Sequence, residues 1–223
     1  MPEPIALTTA DGLTLEAELA PAAGRPRAGV VLCHPHPQYG GTMRSIVVSA
    51  LFEALPADGV TCVRFNFRGV EGSEGAYDEG NRERIDAEAA LAALEQELRT
   101  AGLDPDAVPH VVAGWSFGAD MALSVRAPSV TAWLAIAPPL RFVHDLEGLA
   151  RDPRPKLLVL AQHDEVREPG EVAAAAQQWA NTEVQVVGGA SHFFMGRTDR
   201  LVEAATGYLD RLTGRGPAAS PGL

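Results

Sequence analysis

Two kinds of hydrophobic pattern follow each other along this chain. Near the N-terminus, apolar and polar residues alternate on both sides of Asp11-Gly12, which predicts an antiparallel hairpin over residues 5–19. The pattern then changes to short, continuous apolar runs, which are typical of strands buried on both faces of a parallel sheet. These runs are Ala28–Cys33, Val60–Phe67, Val108–Ala113, Val130–Ala137, Lys156–Ala161 and Glu183–Val187.

Between these runs, apolar residues recur at intervals of three and four, the spacing of an amphipathic helix. Such stretches are Ile46–Leu55, Ile85–Leu98, the segment after Ser116, Val172–Trp179 and Leu201–Leu212. Because strands and helices alternate, the sequence predicts an open α/β fold: a mostly parallel sheet with helices on both faces and the antiparallel hairpin at its edge. No stretch of the 223 residues reads as a linker, so we expect a single domain over residues 1–213 and a flexible tail over 214–223.

Composition narrows the classes of function. The chain carries 29 acidic against 18 basic residues, a net charge of −11, so its surface would repel a nucleic acid or an anionic membrane. Its two cysteines, Cys33 and Cys62, lie in apolar runs, which indicates buried free thiols rather than a disulfide or a metal site. Neither a signal peptide nor an apolar run long enough to span a bilayer is visible. We expect a cytoplasmic protein, a monomer or homodimer, with no nucleic-acid or membrane partner.

The sharpest chemical signal is the pentapeptide Gly114–Gly118, with the sequence GWSFG. It follows an apolar run and opens a helical stretch, the setting of a G-x-S-x-G turn that lifts a serine hydroxyl from the carboxyl end of a sheet. The flanking positions must be small because the strand and helix backbones converge there. In a chain with 22 glycines the pentapeptide could arise by chance, but its place between strand and helix favours Ser116 as a nucleophile.

A serine nucleophile needs a base, and the base needs an acid that orients it; for this kind of turn the chain order is serine, acid, histidine. His192 follows the last predicted strand and precedes the last helix, and Asp164 follows the preceding strand. Alone, His192 reads as a surface-loop histidine and Asp164 as a turn or helix-cap carboxylate. Their order and their positions at strand ends favour a catalytic triad of Ser116, Asp164 and His192.

Acyl transfer also needs backbone N–H groups that bind the oxyanion. One donor is expected from Phe117, the residue after the nucleophile, and the other from the loop His34–Thr42 after an earlier strand. Two prolines in this loop lack N–H groups and stiffen it, so the early donors left are the amides of His36 and Gln38, of which we favour His36. The alternatives are an H-x-H metal site at His34 and His36, for which no third ligand is evident, and a plain strand-to-helix turn.

The segment Phe65–Gly75 ends a predicted strand in a glycine-rich loop. Its glycine spacing is not that of a dinucleotide-binding loop, and no helix follows it directly, as a phosphate cradle requires. We expect an ordered loop beside the site, with Arg68 in a structural ion pair rather than in contact with substrate.

Six short segments carry a resemblance to a known family. In chain order they are HPHP (34–37) with Gly40-Gly41, FNFRG (65–69), GWSFGA (114–119), IAPP (136–139), Asp164-Glu165 and SHFF (191–194). Together they resemble the small, lidless α/β-hydrolases related to dienelactone hydrolase, a family described as predicted esterases, over about residues 28–212. The resemblance implies an α/β-hydrolase fold with Ser116 as nucleophile, Asp164 as acid, His192 as base and a backbone donor in the 34–37 loop.

The chain departs from this family at two places. Dienelactone hydrolases proper use a cysteine nucleophile, so Ser116 argues against transfer of their substrate. Relatives often carry Gly-Asp just ahead of the triad acid, where this chain has Ala161-Gln162, so Glu165 stays open as the alternative to Asp164.

The stretch between the strands that end at Ala137 and begin at Lys156 is too short for a cap domain, which predicts an open site. Tyr39, Trp115 and Phe193 are expected to line it, although each reads equally well as core packing. We expect a serine hydrolase, an esterase that acts on a small or medium acyl ester without cofactor or metal. The alternatives are a thioesterase, peptidase or acyltransferase with the same triad, and a non-catalytic binding protein with this fold.

Overall fold

The computed structural model describes residues 2–215, in which strands and helices alternate as the sequence predicts. Residues 216–223 of the predicted tail lie outside the described residues. The strands are β1 (Glu3–Thr8), β2 (Thr14–Ala20), β3 (Ala28–Cys33), β4 (Val60–Phe65), β5 (His110–Trp115), β6 (Ala132–Ile136), β7 (Lys156–His163) and β8 (Thr182–Ser191). The helices are α1 (Ile46–Ala54), α2 (Glu83–Thr100), α3 (Phe117–Ser124), α4 (Leu146–Arg151), α5 (Pro169–Ala176) and α6 (Thr198–Leu212).

The strands form one sheet in the order β1-β2-β4-β3-β5-β6-β7-β8. Strands β1 and β2 are antiparallel to each other, and β2 is antiparallel to β4. All the other neighbours are parallel. The predicted hairpin turns at Gly12, whose φ of 87° suits a residue without a side chain. The predicted architecture, a mostly parallel sheet with an antiparallel hairpin at one edge, is confirmed.

Apolar layers cover both faces of the sheet. Helices α2, α3, α4 and α5 pack on one face, and α1 and α6 pack on the other. Strand β3 shows why the apolar runs are continuous: Val31 and Cys33 point to the first layer, whereas Val30 and Leu32 point to the second. Cys33 and Cys62 are buried free thiols, as predicted, and burial raises the pKa of both.

Several element boundaries differ from the prediction. Strand β8 runs on to Ser191, four residues beyond the end of the predicted run at Val187. The reason is that β7 also continues and pairs His163 with Ser191 after a register shift. Helix α5 lies three residues earlier than predicted, because Pro169 occupies its first turn and the Glu168 carboxylate caps the amide of Glu171.

The parallel strands bring their carboxyl ends to one edge of the sheet, so the loops that follow β3, β5, β6, β7 and β8 gather there. Between β6 and β7, residues 137–155 hold the six-residue helix α4 and otherwise loop. Among the described residues, no helix combines the length and the apolar character needed to cross a membrane.

Candidate active site

Ser116 lies at the turn between β5 and α3, in a strained backbone conformation with φ 55° and ψ −122°. The flanking glycines are required by close backbone approach. A Cβ atom on Gly114 would overlap the carbonyl group of Gly118, and a Cβ atom on Gly118 would overlap the carbonyl oxygens of Cys33 and His34. The turn therefore presents the serine hydroxyl at the carboxyl edge of the sheet, and it packs too tightly for larger residues at these positions.

The structure brings Ser116, His192 and Asp164 together in one chain of hydrogen bonds. The Oγ atom of Ser116 lies 2.9 Å from Nε2 of His192, and Nδ1 of His192 lies 2.9 and 3.0 Å from the two carboxylate oxygens of Asp164. A carboxylate can only accept, so Nδ1 carries the proton and Nε2 is left to accept from the serine hydroxyl. Glu165 instead accepts a hydrogen bond from the backbone amide of His192 and does not contact its ring.

The Asp164 carboxylate is stabilised in its ionised form. Burial by itself would raise its pKa, but the hydrogen bond from His192 and those from the amides of Arg167 and Val166 outweigh burial and keep the pKa below its ordinary value. The Nε1 atom of Trp115 donates to the carbonyl oxygen of His192 at 3.0 Å and fixes the backbone that carries the imidazole.

His36 and Phe117, whose backbone amides are predicted to bind an oxyanion, both line the pocket that contains Ser116. Among residues 2–215, no protein group accepts from the amide of His36 or from that of Phe117, the first residue of α3. The competing amide of Gln38 is engaged, since it donates to Nδ1 of His36 at 3.2 Å. Of the two early amides in the loop, only that of His36 is available to a ligand.

The imidazoles of His34 and His36 serve the scaffold. His34 is fully buried: its Nδ1 contacts the carbonyl oxygen of Pro35, its Nε2 accepts from the amide of Phe67, and burial lowers its pKa to about 4. Nε2 of His36 lies 3.1 Å from the hydroxyl of Tyr77, while its Nδ1 accepts from the loop. Both nitrogens of each ring are thus occupied, which argues against the H-x-H metal alternative. In the described part of the chain, no group of three or more His, Cys, Asp or Glu side chains is placed to hold a metal ion.

A pocket of about 590 Å³ opens above Ser116 and His192. The predicted residues Tyr39, Trp115 and Phe193 all line it: Trp115 is buried, and Tyr39 and Phe193 are 87% and 49% exposed. The wall also contains large side chains that were not predicted from the sequence, which are Ile46, Pro139, Arg141, Phe142 and Val166.

The wall formed by the loop after β6 is held from below by Asp120. This carboxylate has no solvent exposure and accepts hydrogen bonds from the amides of Leu140, Arg141 and Phe142 at 2.8–2.9 Å. Burial raises the pKa of Asp120 to about 6, more than the three amides lower it. A signal for this role existed in the sequence, since a lone carboxylate in the apolar run of α3 needs polar partners.

Arg68 lies away from the pocket. Its guanidinium is buried and pairs with Asp86 at 2.6 Å and with Asp11 at 2.9 Å. The hydrogen bond from Arg68 holds the pKa of Asp11 at about 2. The predicted structural ion pair is confirmed.

Comparison with known proteins shows the family of this chain. Residues 26–208 match a family model described as an alpha/beta hydrolase domain. An uncharacterized protein of Rickettsia prowazekii (strain Madrid E) is 35% identical over 198 residues, which are 84% of this chain and 81% of that protein.

Two solved structures are similar over nearly the whole chain. One, described as an alpha-beta serine hydrolase homologue from Coxiella burnetii, is 34% identical, with a TM-score of 0.82 over 93% of this chain and 97% of that one. The other, from Xanthomonas campestris and described as a serine hydrolase without lid, is 26% identical, with a TM-score of 0.76 over 99% of this chain and 97% of that one. The resemblance to lidless α/β-hydrolases is confirmed, and the chain belongs to the alpha/beta hydrolase domain family.

Proposed function

We propose that this protein is a serine hydrolase that cleaves small or medium acyl esters through an acyl-enzyme on Ser116. The hydrogen-bonded chain from Ser116 through His192 to Asp164 carries the proposal. A serine hydroxyl is a weak nucleophile at neutral pH, and this arrangement supplies both a base and a carboxylate that orients the base.

Acylation begins when Oγ of Ser116 attacks the ester carbonyl and its proton passes to Nε2 of His192. The imidazolium is stabilised by the ionised Asp164 on its other side. The amides of His36 and Phe117 donate to the oxyanion, and the N-terminus of α3 favours the negative charge that develops there. Collapse of the intermediate breaks the ester C–O bond, and the leaving alkoxide takes the proton from Nε2.

Deacylation repeats these steps with water as the nucleophile. Water gives one proton to Nε2 of His192 while its oxygen bonds to the acyl carbon. The bond from the acyl carbon to Ser116 then breaks, and Oγ recovers the proton. Each step uses groups of the protein, the substrate and water, so the proposed reaction includes neither a cofactor nor a metal.

The dimensions of the pocket support a substrate of small or medium size. The pocket has a volume of about 590 Å³, which suits a small molecule, and its wall includes the exposed side chains of Tyr39 and Phe193 rather than a cap inserted between β6 and β7. These features favour short and medium acyl chains over long lipid chains.

The test is hydrolysis of p-nitrophenyl esters of increasing acyl length by the wild type and by Ser116→Ala. We expect the variant to lose at least about 10⁴-fold in kcat. The control is Ser129→Ala, which removes a hydroxyl from a turn outside the pocket and should leave the rate unchanged. Equal rates in the wild type and Ser116→Ala would refute the proposal.

A fluorophosphonate probe and a substrate panel separate the alternatives. The probe should label the wild type and Ser129→Ala but not Ser116→Ala. Failure to label folded wild type would favour a non-catalytic binding protein. Because the same groups can attack a thioester or an amide, matched ester, thioester and amide substrates, with and without an alcohol acceptor, decide the reaction class.

A further inference from the structure

The charge distribution of the pocket is unusual for this acidic chain. Among the described residues that line the pocket, Arg141 carries the only permanent charge, and most of the other side chains are apolar or aromatic. The chain as a whole has a net charge of −11, so an anion is repelled over most of its surface. A lone cation at the pocket wall is therefore a favourable place for an anionic group of a substrate.

Arg141 also lacks the carboxylate partner that most arginines of this chain have. Between residues 2 and 215, no Asp or Glu oxygen lies within 4.0 Å of its guanidinium, whose one protein hydrogen bond is from Nη2 to the carbonyl oxygen of Val166 at 3.3 Å. A guanidinium has five N–H donors, so four remain available. The nearby Asp120 is engaged with three backbone amides.

Two contacts place the exposed Arg141 at the pocket wall. Asp120 holds its backbone amide at 2.8 Å, and the contact with Val166 joins the loop after β6 to the loop after β7. The planar fork of an arginine matches a carboxylate in a bidentate arrangement. Phe142 and Phe193 line the same pocket and supply aromatic surface.

We propose that the preferred substrate is an ester that carries a carboxylate in its acyl or alcohol part, with Arg141 as the residue that binds the carboxylate. The apolar part of the same molecule packs on the aromatic wall. This inference rests on the proposed function, since it names the class of ester that the same pocket takes.

The experiment compares matched pairs of substrates that differ in one negative charge. For the acyl part, the pair is the p-nitrophenyl monoester of glutaric acid and p-nitrophenyl pentanoate. For the alcohol part, it is 4-acetoxybenzoate and its methyl ester. The variants are Arg141→Gln and Arg141→Lys. The control is Arg25→Gln, which removes the same charge from an exposed arginine outside the pocket that, like Arg141, has no carboxylate partner among the described residues.

We expect the wild type to prefer the anionic member of at least one pair, and to lose this preference as salt rises from about 0.05 to about 0.5 M. Arg141→Gln should lower kcat/KM for that anionic ester at least tenfold, mainly through KM, and change the rate on the neutral ester less than threefold. Arg141→Lys should keep part of the preference, because it keeps the charge but not the fork. Arg25→Gln should behave as the wild type.

Two outcomes overturn the inference in different ways. If neutral esters are hydrolysed in a Ser116-dependent manner but the wild type shows no anionic preference, or Arg141→Gln slows both members of a pair equally, the inference fails and the proposed function stands. If no ester of either pair is hydrolysed in a Ser116-dependent manner, both fail together.

Discussion

Burial and hydrogen bonding have opposite effects on the pKa of Asp120. Its carboxylate has no solvent exposure, yet it accepts three backbone N–H groups from the loop after β6. Burial raises the pKa from 3.8 to about 6, so the desolvation of the charge outweighs the hydrogen bonds. Asp120→Asn keeps the shape of the side chain and removes its titration, which makes it the perturbation of choice.

Two effects of Asp120→Asn have separate signatures. A pKa raised in the folded state means that the stability contributed by this group is fully present below pH 3.8 and is lost as the pH rises through about 6. The shift in pKa corresponds to about 3 kcal/mol of unfolding free energy. The wild type loses this stability as the pH rises, and the variant does not. Independently of pH, the amide of asparagine offers one acceptor atom, so at least one of the three backbone N–H groups loses its partner at about 1–3 kcal/mol.

Urea unfolding of both proteins between about pH 4 and about pH 7 measures the two effects. Subtracting the two curves cancels the other titrating groups, including Asp164, whose lowered pKa contributes stability that is lost as the pH falls. We expect the free energy of unfolding of the wild type minus that of Asp120→Asn to fall by about 2 kcal/mol across this window, because part of the full effect is already lost at pH 4. A flat difference would show that the three amides offset burial, and one that rises with pH would show that they outweigh it; either result would refute this reasoning.

Three further substitutions test contacts elsewhere. Tyr77→Phe removes the hydroxyl that contacts His36 at 3.1 Å. We expect kcat on a neutral ester to fall roughly 3–10-fold with KM little changed, because the hydroxyl positions His36, whose amide is proposed to bind the oxyanion. An unaltered kcat would contradict this positioning role of Tyr77. Lys156→Met removes a buried ammonium that donates to three carbonyl oxygens, so urea unfolding should show a loss of about 3 kcal/mol; a loss below about 1 kcal/mol would contradict this. Arg68→Met leaves the buried carboxylate of Asp86 unpaired and should lower the free energy of unfolding by about 3–5 kcal/mol. The double variant Arg68→Met with Asp86→Leu should recover part of this loss. No recovery would argue against an unpaired charge as the cause.

The sequence contains the order of the elements, because a strand covered on both faces leaves a continuous apolar run and a helix leaves a period near 3.6. The ends of the edge strand β8 could not be predicted from the sequence. The side chains of Val184 and Val186 in β8 are exposed, so burial does not mark this strand. Its last residues are strand only because β7 extends alongside them to His163, a contact between segments that are distant in the chain.

The candidate site, too, has features that could be predicted from the sequence and features that could not. That Ser116, Asp164 and His192 come together could be predicted, because each follows a parallel strand and parallel strands end at a common edge of the sheet. The choice between Asp164 and Glu165 could not, since both carboxylates contact His192, one at the ring and the other at the backbone amide. Nor does a hydrophobic pattern reveal that Arg141 faces the pocket, because its direction is set by the tertiary contacts of its loop.

The loop after β3 shows how a donor for the oxyanion can be found by accounting for every backbone N–H. Pro35 and Pro37 have none, which the sequence states directly. Most of the other amides of the loop donate to acceptors in the protein, because the turn folds back on itself. The amides that donate to acceptors within the loop are those of Gln38, Tyr39, Gly40 and Gly41. In the part of the chain that the structure describes, the amide of His36, a residue of the pocket lining, has no protein acceptor. An N–H in that position is satisfied when an oxygen of a ligand enters, which supports the role proposed for His36 beside Phe117.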